Sequence, residues 1–224
     1  ESSQWFRYEQ LINTIPLPTF VNLCQQSSAS AKFAAEQLCA SELLLVNATI
    51  EHPKLHPEHW FYVYDEDLLS TRIYCTEQLS PNNAPIGSTG IQVEVYASKY
   101  RPFSDTFDNI GARVVQELKQ FGFIDVNQSQ SAPCFHTHYV PYANIVFDVE
   151  REGALETIYS DLEKYGLIRK EDALAPTSDW YNVDVKGKYR SKLGVVHLAG
   201  RFGQWKYFWS DDCVMRGKQL AEEI

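Results

Sequence analysis

An α+β fold, with a mixed and largely antiparallel sheet covered by helices, is predicted by three observations. Segments near residues 43, 60, 70, 90 and 140 are apolar or alternate with period two at strand length, without the helix-after-every-strand rhythm of a doubly wound sheet. Two stretches, 105–121 and 153–165, repeat apolar residues at helical spacing, and each stops at a glycine, Gly122 and Gly166. The end of the chain reads as a strand, a glycine-rich turn and a helix, which is expected to pack with the opening segment.

Taken in order, the stretch from Arg7 is extended and is halted by Pro16 and Pro18, neither of which supplies a ladder donor. Helices follow near 19–26 and 29–38, the second with Ser28 or Ser30 as cap. The run 41–50, through Leu43, Leu44, Leu45 and Val46, reads as a central strand covered on both faces. His52, His56 and His59 come next, but Pro53 and Pro57 forbid the helix that would align them on a metal, so the segment reads as a solvated loop. Trp60–Tyr64 and Ser70–Thr76 alternate about Asp65 and Asp67 as the arms of a β-hairpin. Gly90–Tyr96 alternates as a half-buried strand. Phe107, Ile110, Val114, Leu118 and Phe121 line one helix face. In the extended stretch 132–148, His136 and His138 share a strand face, a geometry open to a metal but produced as readily by polar alternation. Leu155, Ile158, Tyr159, Leu162 and Tyr165 stripe the next helix, and the segment 177–192, with Lys186, Lys188, Arg190 and Lys192, reads as an irregular basic connection.

Composition narrows the function classes. A net charge of −9 and a pI near 5.1 argue against a nonspecific nucleic-acid or anionic-membrane binder. No apolar run approaches a membrane span, and the first residues lack a signal-peptide layout. Cys24, Cys39, Cys75, Cys134 and Cys213 are widely spaced without a Cys-x-x-Cys pair, so neither a disulfide framework nor a zinc knuckle is expected, and a cytoplasmic setting is. No nucleophile elbow, P-loop or Cys/His arrangement places a catalytic residue.

The stretch that carries most information runs from Gly194 to Asp211. Gly200 and Gly203 permit φ > 0 and close approach, and a helix starting near Ser210 or Asp211 turns unpaired N–H groups toward the turn, an arrangement suited to phosphate. The same residues fit equally a buried aromatic strand with a tight turn.

Gly200, Arg201, Phe202, Gly203, Trp205, Tyr207 and Asp211 resemble the C-terminal flavin motif of the UDP-galactopyranose mutase-like and protoporphyrinogen oxidase-like flavin amine oxidase superfamily. Two further points of resemblance are the crossing Tyr8, Leu11, Ile12, Thr14, Ile15, Pro16, Leu17, Pro18 and the strand from Tyr139 through Pro141, Tyr142 and Ala143 to Asp148. The resemblance implies a segment crossing from the flavin domain (1–40), a substrate-binding domain (41–192) and an FAD-contacting strand, turn and helix (193–224). It implies FAD as cofactor, with Gly200, Arg201, Gly203 and Asp211 holding the ribityl and phosphate region. It also implies a nucleotide-sugar or glycan-precursor substrate, with Trp205 and Tyr207 lining the cleft. The arm through Arg72 resembles the strand that carries a substrate-contacting arginine, which makes Arg72 the expected grip on a diphosphate or carboxylate.

Trp205 stands where the mutases proper carry tyrosine, and Phe208 and Trp209 replace a more polar pair, so an oxidoreductase fits as well as a mutase. The resemblance covers only the C-terminal half of a family member, and no Gly-x-Gly-x-x-Gly turn is present. The expectation is therefore part of a longer flavoprotein, its implied partner being an N-terminal FAD-binding domain whose absence leaves apolar surface and favours self-association. The alternative is a non-catalytic sugar-nucleotide binding module that has lost flavin.

Overall fold

The computed structural model describes residues 4, 6–125, 127, 133–167 and 195–223. Two compact units divide the chain, Ser41–Ala143 and a split unit of Glu1–Ala40 with Asn144–Ile224. The split unit opens with β1 (Gln10–Asn13), α1 (Leu17–Leu23) and α2 (Ala29–Gln37). The continuous unit holds β2 (Cys39–Ile50), β3 (Trp60–Tyr62), β4 (Arg72–Cys75), β5 (Thr89–Ala97), α3 (Phe107–Gln120) and β6 (Cys134–Val146). The split unit resumes with α4 (Arg151–Leu162), β7 (Val195–Leu198), α5 (Gly200–Gly203) and α6 (Ser210–Glu223).

In the continuous unit the five strands form an antiparallel sheet in the order β3-β4-β5-β2-β6. Alternation decides its faces: Leu44, Val46, Ala48 and Ile50 of β2 join Ile73, Cys75, Ile91, Val93 and Val95 in a core closed by Ile110, Val114 and Leu118 of α3. β2 thus buries one face, while Leu43 and Leu45 on the other remain partly exposed, and it lies next to the edge strand β6. This corrects the expectation of a central strand covered on both sides: a purely apolar run hides which of its residues face the core. Thr106 caps α3 by accepting the Asn109 N–H, and Gly122 ends it at φ +78°.

One buried carboxylate ties α3 to the hairpin. Glu117 accepts the N–H of Leu69 at 2.9 Å, the N–H of Ser70 at 2.9 Å and the Ser70 hydroxyl at 2.6 Å, which satisfies an acid that burial would otherwise penalise. The clasp fixes the chain two residues before Arg72.

In the split unit the two ends of the chain meet, as expected: β1 and β7 pair in parallel, Gln10 opposite Val195 and Asn13 opposite Leu198. α4, expected on the sheet beside α3, packs on α2 within the split unit. The bond that joins them is Asp161 accepting the Ser28 N–H at 3.0 Å, while Ser28 Oγ caps α2 by accepting the Ala31 N–H. The expected substrate segment 41–192 takes in the continuous unit and runs on into the split one. The basic connection expected at 177–192 lies outside the described residues.

Candidate functional site

In the split unit, β7 leads through Ala199 into Gly200, whose φ of +78° only glycine adopts cheaply. Among the described residues, and beyond its chain neighbours, nothing lies within 4 Å of a methyl group built on Gly200, so the turn is open there. The expected glycine-rich turn is a short helix, α5, and Gly203 serves a different purpose. A Cβ on Gly203 would sit 2.8 Å from the carbonyl oxygen of Asn13, which itself accepts the Ala199 N–H at 2.9 Å. Gly203 is therefore what lets the turn lie against the end of β1.

The turn after α5 is held by side chains whose role the sequence does not announce. Arg151 Nη2 donates to the Trp205 carbonyl at 2.7 Å and Tyr159 Oη donates to the Gln204 carbonyl at 3.1 Å, both from α4. Burial pushes the Arg151 guanidinium below its ordinary pKa. Arg201 spans the turn, its Nε donating to the Phe208 carbonyl at 2.7 Å and its Nη1 to Asn144 Oδ1 at 2.9 Å, with the guanidinium 5.1 Å from the Tyr207 ring centre. The signal for Arg151 and Tyr159 was faint: both sit on a helix read only for its apolar stripe.

The aromatic run splits into two sets. Trp205 and Phe208 are 0 % and 1 % exposed, with Trp205 at φ +52°, a rare conformation for a bulky residue. Tyr207 and Trp209 face outward at 38 % and 64 %, their rings edge-to-face at 5.9 Å. Phe147 lies 6.5 Å from Tyr207, with Arg151 4.5 Å from its ring centre. Of the two expected cleft aromatics, Tyr207 has a surface to offer a ligand and Trp205 is packed inside. α6 begins at Ser210, where the Trp209 N–H donates to Asp212 Oδ2 at 2.8 Å, one half of a capping box. Asp212 serves that start, and Asp211 stays exposed beside it.

Arg72 lies in the other unit, on the sheet face opposite α3. Its Nη2 and Nε donate to the two oxygens of Glu94 at 2.6 and 3.1 Å, and Tyr96 Oη donates to Glu94 Oε2 at 2.8 Å. The guanidinium lies between rings, 4.8 Å from the centre of Tyr74 and 5.7 Å from that of Tyr62. Burial pulls its pKa down, but the Glu94 and Tyr62 hydrogen bonds and the Glu94 charge outweigh this and hold it above its ordinary value. The arginine expected to grip a diphosphate or carboxylate is thus a fork already engaged by the Glu94 carboxylate. Among the described residues no group of three or more His, Cys, Asp or Glu side chains is placed to hold a metal. His52, buried, contacts the Pro53 carbonyl through Nδ1 and accepts the Asp125 N–H through Nε2.

No protein-family model matches the chain, and no curated protein matches it in sequence. Solved structures do match in shape. The chain superposes on a protein from Exiguobacterium sp. 255-15 provisionally called a protoporphyrinogen oxidase, with TM-score 0.57 and 14 % identity over 95 % of this chain and 40 % of that one. It superposes on reduced UDP-galactopyranose mutase with TM-score 0.72 and 15 % identity over 97 % of this chain and 41 % of that one. The chain therefore spans about two fifths of the length of each structure, and over that length it has the fold that the three sequence motifs led us to expect.

Proposed function

We propose that this chain is the substrate-binding and cofactor-closing portion of an FAD-dependent oxidoreductase or mutase that acts on a nucleotide sugar or related glycan precursor. The observation that carries the reading is the shared fold over 97 % of the chain with UDP-galactopyranose mutase, together with an open Gly200 turn that leads into a 14-residue helix. On this reading the flavin lies at the turn, where a Cβ on Gly200 meets no described atom within 4 Å beyond its chain neighbours, the start of α6 offers N–H groups of the kind that favour phosphate and ribityl oxygens, and Asp211 stands exposed at that start. Arg201 lies 5.1 Å from the Tyr207 ring centre, and Gly203 seats the turn against β1.

When bound, the flavin supplies the redox or nucleophilic chemistry, and the protein supplies position and electrostatics. Tyr207, the exposed ring, is the one that would meet the ligand, while Trp205 stays buried in the turn, and Arg72 with Glu94 marks the substrate face of the continuous unit. A dinucleotide-binding half on further polypeptide completes the cofactor grip. None of the five cysteines forms a disulfide, which agrees with the cytoplasmic setting proposed from their spacing.

Titration of the chain with FAD, followed by flavin emission, tests the reading. We expect weak quenching that Gly200→Leu lowers several-fold. Absence of any flavin response alongside intact UDP-sugar binding would overturn it in favour of the flavin-free binding module.

A further inference from the structure

The outer face of the five-stranded sheet has an order that the reading above does not use. Two cross-strand rungs run inward from the edge strand β3. The first is Trp60, Tyr74, Gln92 and Asn47, and the second is Tyr62, Arg72 and Glu94. Each rung passes from aromatic rings to paired hydrogen-bonding groups. Gln92 Nε2 donates to Asn47 Oδ1 at 2.8 Å, and Arg72 and Glu94 form the bidentate pair. Tyr64 extends the edge, its ring stacked on Tyr62 at 6.2 Å and 25°. The edge rings are open to solvent, Trp60 at 52 %, Tyr62 at 53 % and Tyr64 at 88 %.

Exposed aromatics on the α3 side would be explained by the core, but these rings point away from it, since Phe61 and Val63 between them make the inward contacts. The charges on this face cancel. Glu94 takes two of the five N–H donors of Arg72 and neutralises its charge, so an anion drawn to the remaining donors is also repelled by the carboxylate. Neutral hydroxyls meet no such repulsion, and both pairs can exchange a hydrogen bond with a group that donates and accepts at once.

We infer that this face binds the neutral saccharide portion of a ligand, with the apolar C–H face of a sugar ring on Trp60 and Tyr62 and its hydroxyl rim toward the Arg72–Glu94 and Gln92–Asn47 pairs. The inference refines the substrate half of the proposed function and rests on it for sugars as the ligand class. It moves Arg72 from gripping a diphosphate to reading hydroxyls.

Saturation-transfer NMR on the full chain tests it, with methyl β-galactopyranoside, methyl β-glucopyranoside and UDP as separate probes. At least one neutral glycoside should receive saturation on its ring C–H protons. Tyr64→Ala should weaken the signal, Trp60→Ala and Tyr62→Ala should lower affinity by about 3- to 10-fold, and Trp60→Phe should retain most of it. Tyr64, at 88 % exposure, can be replaced without unfolding the sheet, which keeps the test interpretable if Trp60→Ala misfolds. No saturation of either glycoside, or saturation indifferent to all three alanine variants, overturns the inference. Binding of UDP alone, lost in Arg72→Ala, overturns it too but leaves the proposed function standing. Glycoside binding without any flavin response supports the inference while the flavin half of that function fails.

Discussion

Gly200 and Gly203 stand three residues apart in one motif and are needed for different reasons. Gly200 is required by its backbone angle and has space in front of it, whereas Gly203 is required by the Asn13 carbonyl behind it. Gly200→Ala should cost about 1 kcal/mol through the left-handed conformation alone. Gly203→Ala must displace backbone that carries a β1 hydrogen bond, and about 1–3 kcal/mol is expected, with faster amide exchange in β1 and β7. Equal losses in a urea titration would contradict the distinction. The motif was visible as residue types and spacing, and the open turn could be foreseen from it. The inward turn of Trp205 could not, because Arg151, which holds its carbonyl, and Tyr159, which holds that of Gln204, belong to a helix more than forty residues earlier, and no local pattern encodes that meeting.

Individual elements were legible wherever period and punctuation agreed, as in α3 with its Thr106 cap and Gly122 stop, or the hairpin that puts Tyr62 opposite Arg72. What a helix packs on was less so. α4 shows the same kind of stripe as α3 but covers α2, and the deciding contact joins Ser28 to Asp161, 133 residues away. Burial alone would raise the Asp161 pKa, but the Ser28 N–H and Lys164 at 3.1 Å hold it below the ordinary carboxylate value. A carboxylate depressed in the folded state adds stability that is complete above its unfolded pKa, about 3.9, and is lost as pH falls through the lower folded value. Asp161→Asn should therefore destabilise the chain by about 1–2 kcal/mol at pH 7. Its urea midpoint should approach that of the parent at pH 3, and a gap that stays constant across that range would rule out this role.

At the scale of the whole molecule, the division into a continuous and a split unit was only half readable. The boundary near residue 41 coincides with a change from alanine-rich helix to apolar strand, whereas that at 143 falls inside β6, where composition does not change. The core cluster lies wholly within the continuous unit. A polypeptide of residues 39–146 is accordingly expected to fold alone, with dispersed amide resonances and slow exchange in β2, β4 and β5. Collapsed resonances would show that its core needs the rest of the chain.

The pairing of β1 with β7 has a consequence for synthesis. Gln10 cannot meet Val195 until the ribosome has made everything between them, whereas every strand of the continuous unit has been made by residue 146. At about 5–20 residues per second, the first forty residues wait roughly 10–30 s for their partners. During that interval Leu17, Phe20 and Val21, which the finished unit buries, have no completed unit around them. The segment from α1 to α2 is then what a chaperone would hold, and the rate at which α4 and β7 arrive sets how long it must.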